Sequence, residues 1–113
     1  MLRGDVFEAT LHPVLGSEQG NVGPVLIVSR DAINQSSPVV IAVPFTGLEN
    51  CPRIYPSQVV VKACHGGLTK DSVAMTEQVR AISKKRLGKF LGRLPPEKMA
   101  GVSAALKIAL DLP

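Results

Sequence analysis

Two solid apolar runs of strand length, Val25-Leu26-Ile27-Val28 and Val39-Val40-Ile41-Ala42-Val43, set the architecture of this chain. Both are short and apolar throughout, so each reads as a buried strand at the centre of a sheet. β-Branched residues dominate them, and such side chains suit a pleated, packed surface. Around them the pattern alternates. In residues 6–11, Val6, Glu8 and Thr10 point one way and Phe7, Ala9 and Leu11 the other. His12-Pro13 ends that strand, because proline removes a donor and restricts the residue before it. Residues 58–62, 72–74, 78–82 and 90–94 read as further short strands.

The connections are equally short. Residues 29–35 are a polar link with one helical turn around Ala32 and Ile33. Residues 48–56, with two prolines, read as a variable loop, and His65-Gly66-Gly67 as a turn. Residues 83–87 fit a single helical turn capped by Ser83. Pro95-Pro96-Glu97 opens a helix, since proline suits its first turn and glutamate its positive end. Met99, Val102, Leu106, Ala109 and Leu110 then recur at helical spacing as a packing stripe, with Lys98 and Lys107 off it. Many short strands and one terminal helix imply a mostly β, curled antiparallel sheet. At 113 residues the expectation is a single domain, residues 1–113.

One stretch has no evident role in packing. Gly16-Ser17-Glu18-Gln19-Gly20-Asn21-Val22-Gly23-Pro24 reads as a glycine-rich loop between two strands, closed by Pro24, which starts the next element. It is longer than a plain hairpin needs and holds three polar side chains, Ser17, Glu18 and Gln19. It serves either as a solvated surface loop or as a binding loop.

Charge narrows the partners. The net charge is +4, and Lys84, Lys85, Arg86, Lys89 and Arg93 fall close together. Such a balance favours a polyanion or an acidic protein partner. The only aromatics are Phe7, Phe45, Tyr55 and Phe90, too few for recognition built mainly on stacking. Cys51 and Cys64 read as free thiols, and Cys64-His65 is a pair rather than a four-ligand set, so neither a metal site nor a cofactor is expected. Residues 1–5 carry no apolar leader core, and no run is long enough to span a membrane, which sets the expectation of a cytoplasmic protein.

Taken in order, several stretches resemble the MazF/PemK family of toxins. They are Arg3-Gly4-Asp5-Val6, His12-Pro13, Gly16-Ser17-Glu18-Gln19-Gly20 and Pro24-Val25-Leu26-Ile27-Val28. Ser37 through Thr46 resembles the family's second core strand with its catalytic threonine. Asp71-Ser72-Val73, Glu77 through Ile82 and Arg86-Leu87 resemble its third block. The resemblance spans essentially the whole chain. It implies an SH3-like barrel of the PemK/CcdB type with short helices and a C-terminal helix. It further implies a homodimer that binds single-stranded RNA across the groove between subunits, blocked by an acidic antitoxin. The implied activity is metal-independent, sequence-specific endonucleolytic cleavage of mRNA to 2′,3′-cyclic phosphate and 5′-hydroxyl ends. A gyrase-poisoning toxin on the same barrel is disfavoured by the Gly-Ser-Glu-Gln loop.

The resemblance also assigns residues. Thr46 takes the position of the catalytic threonine, whose hydroxyl helps hold the phosphate. Glu18 would orient the 2′-hydroxyl or act as base, and Ser17 and Gln19 would bind RNA through hydrogen bonds. Gln78 and Arg80 would line the groove. The family's principal catalytic residue, an arginine immediately before the loop's closing proline, is replaced here by Gly23. That departure implies impaired catalysis, with a non-cleaving RNA- or antitoxin-binding relative as the alternative. Arg80 and His12 are candidate substitutes for the missing charge.

Overall fold

The computed structural model describes residues 1–11 and 21–113. Its seven strands are β1 (Asp5–Leu11), β2 (Asn21–Ile27), β3 (Val39–Gly47), β4 (Gln58–Val61), β5 (Ser72–Met75), β6 (Arg80–Ser83) and β7 (Leu87–Arg93). They pair antiparallel in the order β4-β5-β3-β2-β1-β7, with β6 also on β3. A short helix α1 (Asp31–Ser36) precedes β3, and α2 (Pro96–Leu110) ends the fold.

The β3 strand organises the sheet. Its first half pairs with β6, from Val39↔Ser83 to Ala42↔Arg80. Its middle pairs with β2, from Ala42↔Ile27 to Pro44↔Val25. Its end pairs with β5, from Phe45↔Ala74 to Gly47↔Ser72. One strand that serves three partners along its length requires a strongly curled sheet. Register shifts between β1 and β7 around Phe7 add to the curl.

The first apolar run sits where its composition places it, but the second is buried on one face only: Val39 and Ile41 are each 40% exposed, because the first half of β3 reaches past the cluster that α2 closes. Val25, Leu26, Ile27, Val40, Ala42 and Val43 are all fully buried. Their alternate side chains enter two separate clusters. Leu26 and Val43 join Val6, Phe45, Val61 and the α2 residues Met99 and Val102. Val25, Ile27, Val40 and Ala42 join Ala9 and Ile82 on the opposite face. Each Val, Leu, Ile, Phe or Met side chain among them contributes about 1.5–3 kcal/mol on burial.

Polar groups inside this frame are paired. Asn34 on α1 is buried; its Nδ2 donates to the Ser29 carbonyl at 2.8 Å, and its Oδ1 accepts from the Ser29 hydroxyl. Ser29 Oγ in turn accepts from the Ile41 N–H at 3.0 Å. The 3-10 turn His65–Gly67 lies against β7. Gly67 has φ +74°, and a Cβ there would strike the Leu91 carbonyl.

Four further sequence expectations change. First, β2 starts at Asn21, so Gly23 and Pro24 are strand residues opposite Ala9 and Glu8 rather than the end of a loop. Cross-strand pairing with β1 holds extended a segment whose glycine and proline read locally as a turn. Second, Gln78 lies in a 3-10 turn, Thr76–Gln78, which leaves β6 to begin at Arg80. Third, β7 begins at Leu87, because the β1 edge recruits it earlier than its own pattern indicates. Fourth, the α2 stripe ends early: Met99, Val102 and Ala105 are buried, but Leu110 is 52% exposed where the helix runs past the sheet. The Ser83 cap is present, with its hydroxyl accepting from the Lys85 N–H at 3.3 Å.

Candidate functional site

The site forms where β2 and β3 part. Their ladder ends at Val25↔Pro44. By the alternation of an antiparallel pair, one of Pro24 and Pro44 withdraws a donor from this edge, since neither has an N–H. Continuing the register two residues brings Gly23 opposite Thr46, with both side-chain positions on the face of Val25 and Ala42. Arg80, opposite Ala42 on β6, shares that face.

A groove of about 330 Å³ opens at this fork, lined by Gly23, Pro44, Thr46, Met75, Gln78 and Arg80, among others. A second recess of about 340 Å³ continues from Thr46 past Asn50, Arg53, Tyr55, Glu77 and Gln78. A third of about 320 Å³ runs from Gly23 and Thr46 to Lys70 and Ser72. Thr46 therefore stands at the junction of all three. Its Oγ1 accepts a hydrogen bond from Asn50 Nδ2 at 3.3 Å. That contact leaves the hydroxyl proton free to donate into the groove.

Gly23 has an ordinary strand backbone; among the described residues the positive-φ glycines are Gly4, Gly66 and Gly67. A Cβ built on it meets no atom of the described residues within 4 Å. A side chain at this position would start beside the groove that Gly23 lines without its Cβ meeting a described neighbour.

The carboxylates beside the groove are engaged. Glu49 Oε1 lies 2.8 Å from Lys70 Nζ, and this hydrogen bond is the main reason its acidity is raised, with pKa below the ordinary glutamate value. Asp71 Oδ1 accepts from the Ala63 N–H at 2.8 Å. That bond, helped by the Lys62 ammonium, holds the Asp71 pKa below its ordinary value. Gln58 Nε2 donates to Glu77 Oε2 at 2.9 Å.

Of the residues picked out in sequence, Gly23, Thr46, Gln78 and Arg80 come together here. Ser17, Glu18 and Gln19, with His12, lie outside the described residues. Sequence reasoning missed Asn50, assigned to a variable loop, and Lys70, which lies between two recognisable blocks. Cys51 and Cys64 are both free thiols. Among the described residues no group of three His, Cys, Asp or Glu side chains is placed to hold a metal. Among the described residues no helix is long and apolar enough to cross a membrane.

A small, strongly curled antiparallel sheet with a terminal helix and a groove at a strand fork defines a compact class of mostly β folds. Residues 2–110 match the model of the PemK-like, MazF-like toxins of type II toxin–antitoxin systems, and the chain belongs to that family. It is 44% identical to an endoribonuclease MazF of Staphylococcus saprophyticus over 112 residues, 99% of this chain and 92% of that protein. Among solved structures it resembles an endoribonuclease in complex with its cognate antitoxin from a mycobacterial species. There the TM-score is 0.82 at 30% identity, covering 100% of this chain and 97% of the other. It also resembles MazF from Deinococcus radiodurans, with TM-score 0.79 at 25% identity over 99% of this chain and 97% of that one.

Proposed function

We infer that this chain is the toxin of a type II toxin–antitoxin module, an endoribonuclease that acts on single-stranded mRNA. Its substrate's own 2′-hydroxyl attacks the adjacent phosphate, giving a 2′,3′-cyclic phosphate and a free 5′-hydroxyl. The protein must remove one proton, stabilise charge on the phosphorane, and protonate the leaving oxygen. Thr46 serves the second task by donating to a non-bridging oxygen. Gln78 and Arg80 hold the strand, and Ser17, Glu18 and Gln19 complete the groove, with Glu18 on the 2′-hydroxyl. The chain acts as one domain, residues 1–113, works as a homodimer in the cytoplasm, and is neutralised by an acidic antitoxin attracted to its net charge of +4.

The observation that carries this reading is the fork itself. Thr46 faces Gly23 across it, at the position where the family places its arginine. Gly23 also supports a second reading, in which this sequence binds RNA or antitoxin and cleaves poorly. A glycine offers no side-chain donor to the phosphorane. Gel analysis of a long single-stranded RNA in EDTA separates the two. The expected result is weak cleavage by the chain as it stands and strong cleavage by Gly23→Arg. Equal rates would show that the missing arginine is not what limits this protein. No cleavage by either would leave only the binding reading.

A further inference from the structure

The third recess joins Gly23 and Thr46 to a cation that the family resemblance does not bring in. Lys70 lies in the segment between β4 and β5, and its backbone is tied down closely. Ser72 Oγ donates to the Lys70 carbonyl at 2.9 Å. The Leu48 N–H donates to the Asp71 carbonyl at 3.0 Å, which extends the β3–β5 pairing beyond Gly47↔Ser72. Asp71 Oδ1 accepts from Ala63 on the other side. These contacts set Lys70 beside Glu49, just past the end of β3, with Thr46 in the same recess.

Glu49 is folded back over the strand end. A Cβ on Gly47 would land on its carboxylate, so the absence of a side chain at 47 makes room for it. The carboxylate is held there by the Lys70 ammonium, with both side chains more than half exposed. An exposed pair of this kind contributes little to stability. It is therefore easily opened, and another anion can take the place of the carboxylate. Lys70 shares the third recess with Gly23 and Thr46, and Arg80 shares the first groove with the same two residues, so each opening at Gly23 and Thr46 carries its own cation.

We propose that Lys70 is a phosphate-binding residue of this groove, which holds an RNA backbone phosphate beside Thr46, and that Glu49 is the counter-ion which this phosphate displaces. The inference rests on the reading of the groove as an RNA site and names one of its contacts. A lysine ammonium is a compact charge with three donors, suited to a phosphate that arrives without fixed orientation. No covalent step is assigned to it.

The test measures binding of a 2′-O-methyl oligouridylate, which lacks the attacking hydroxyl, by fluorescence anisotropy across a salt series. Each phosphate neutralised on a single strand contributes about 0.7 to the slope of log K against log salt. Lys70→Met is expected to weaken binding several-fold and to lower the slope by about that amount, and Lys70→Arg to restore both. Glu49→Gln is expected to tighten binding. The double variant Glu49→Gln with Lys70→Met separates direct contact from simple neutralisation. If Lys70 touches phosphate, the double variant keeps the reduced slope. If it returns to wild-type affinity and slope, Lys70 only cancels Glu49 and the proposal is overturned. An unchanged slope in Lys70→Met, beside a wild type that binds, overturns the proposal alone. A wild type that fails to bind at low salt overturns the RNA-groove reading and the proposal together.

Discussion

Gly23 and Thr46 line the same groove where β2 and β3 separate, and among the described residues no atom lies within 4 Å of a Cβ on Gly23. Its backbone is that of any strand residue, so nothing local requires glycine there. Gly67 is the contrasting case: its φ is +74°, and a Cβ would strike the Leu91 carbonyl. We expect Gly23→Arg to leave the melting temperature unchanged or slightly raised, since glycine inside a strand costs roughly 0.5–1 kcal/mol. Gly67→Ala should lower it by several degrees. Thermal melts of the two variants check the contrast, and a large loss in Gly23→Arg would mean the groove has no room for the side chain.

Adding the charge should also add rate. A single preorganised donor is worth ~10²–10³ in turnover, so Gly23→Arg should gain about that factor in RNA cleavage. Thr46→Ala in the same background should forfeit most of the gain, as measured by initial rates on a fluorogenic RNA. Retention of full rate by the double variant would remove Thr46 from the reaction.

Asn50 orients the Thr46 hydroxyl through the 3.3 Å hydrogen bond it donates. Asn50→Ala, in the Gly23→Arg background, should lower kcat several-fold with little change in KM if Thr46 acts in the transition state as proposed, since Asn50 orients its hydroxyl. An effect confined to KM would instead place Asn50 in ground-state binding.

Acid should weaken the β4–β5 connection. The folded-state pKa of Asp71 is depressed, chiefly by the Ala63 N–H. Its contribution is therefore present above the ordinary carboxylate pKa and is lost as pH falls through the lowered folded value. Asp71→Asn should melt below wild type near neutrality, and the gap should close as the pH falls below about 4. A gap constant with pH would mean that the charge contributes nothing.

Asn34 is fully enclosed and bonded to Ser29. Asn34→Ala leaves buried polar groups of Ser29 unpaired, at a cost of about 1–3 kcal/mol. Urea denaturation should show a lower midpoint with an unchanged m-value.

Val39 and Ile41 expose an apolar row on β3, with Ala81 opposite Ile41 on β6. We expect sedimentation equilibrium to give a homodimer, and Ile41→Glu to shift it towards monomer. A wild type that is monomeric at all concentrations would contradict the dimeric groove.

The sequence was most legible where burial is two-sided. Val25 through Ile27 is apolar at every position and is buried on both faces, whereas the equally apolar Val39–Val43 leaves Val39 and Ile41 exposed. It was least legible where pairing overrides local chemistry. Gly23-Pro24 carries turn residues, yet β1 holds it extended. Gln78 follows a strand pattern, yet Thr76 is buried and the chain turns there. The Gly23–Thr46 relationship depends on the β2–β3 register, which no local pattern encodes. Lys70 was invisible for the same reason: its neighbours Glu49 and Thr46 are distant in sequence and meet it only through the β3–β5 ladder.

The prolines at the fork have one further consequence. With a donor withdrawn from the β2–β3 edge, the two strands gain less by closing on each other. The opening is thus written into the covalent chemistry of the backbone and exists before any ligand arrives. An incoming strand of RNA breaks no ladder to enter, so association should follow diffusion and charge, and specificity must be exercised after arrival rather than at the door.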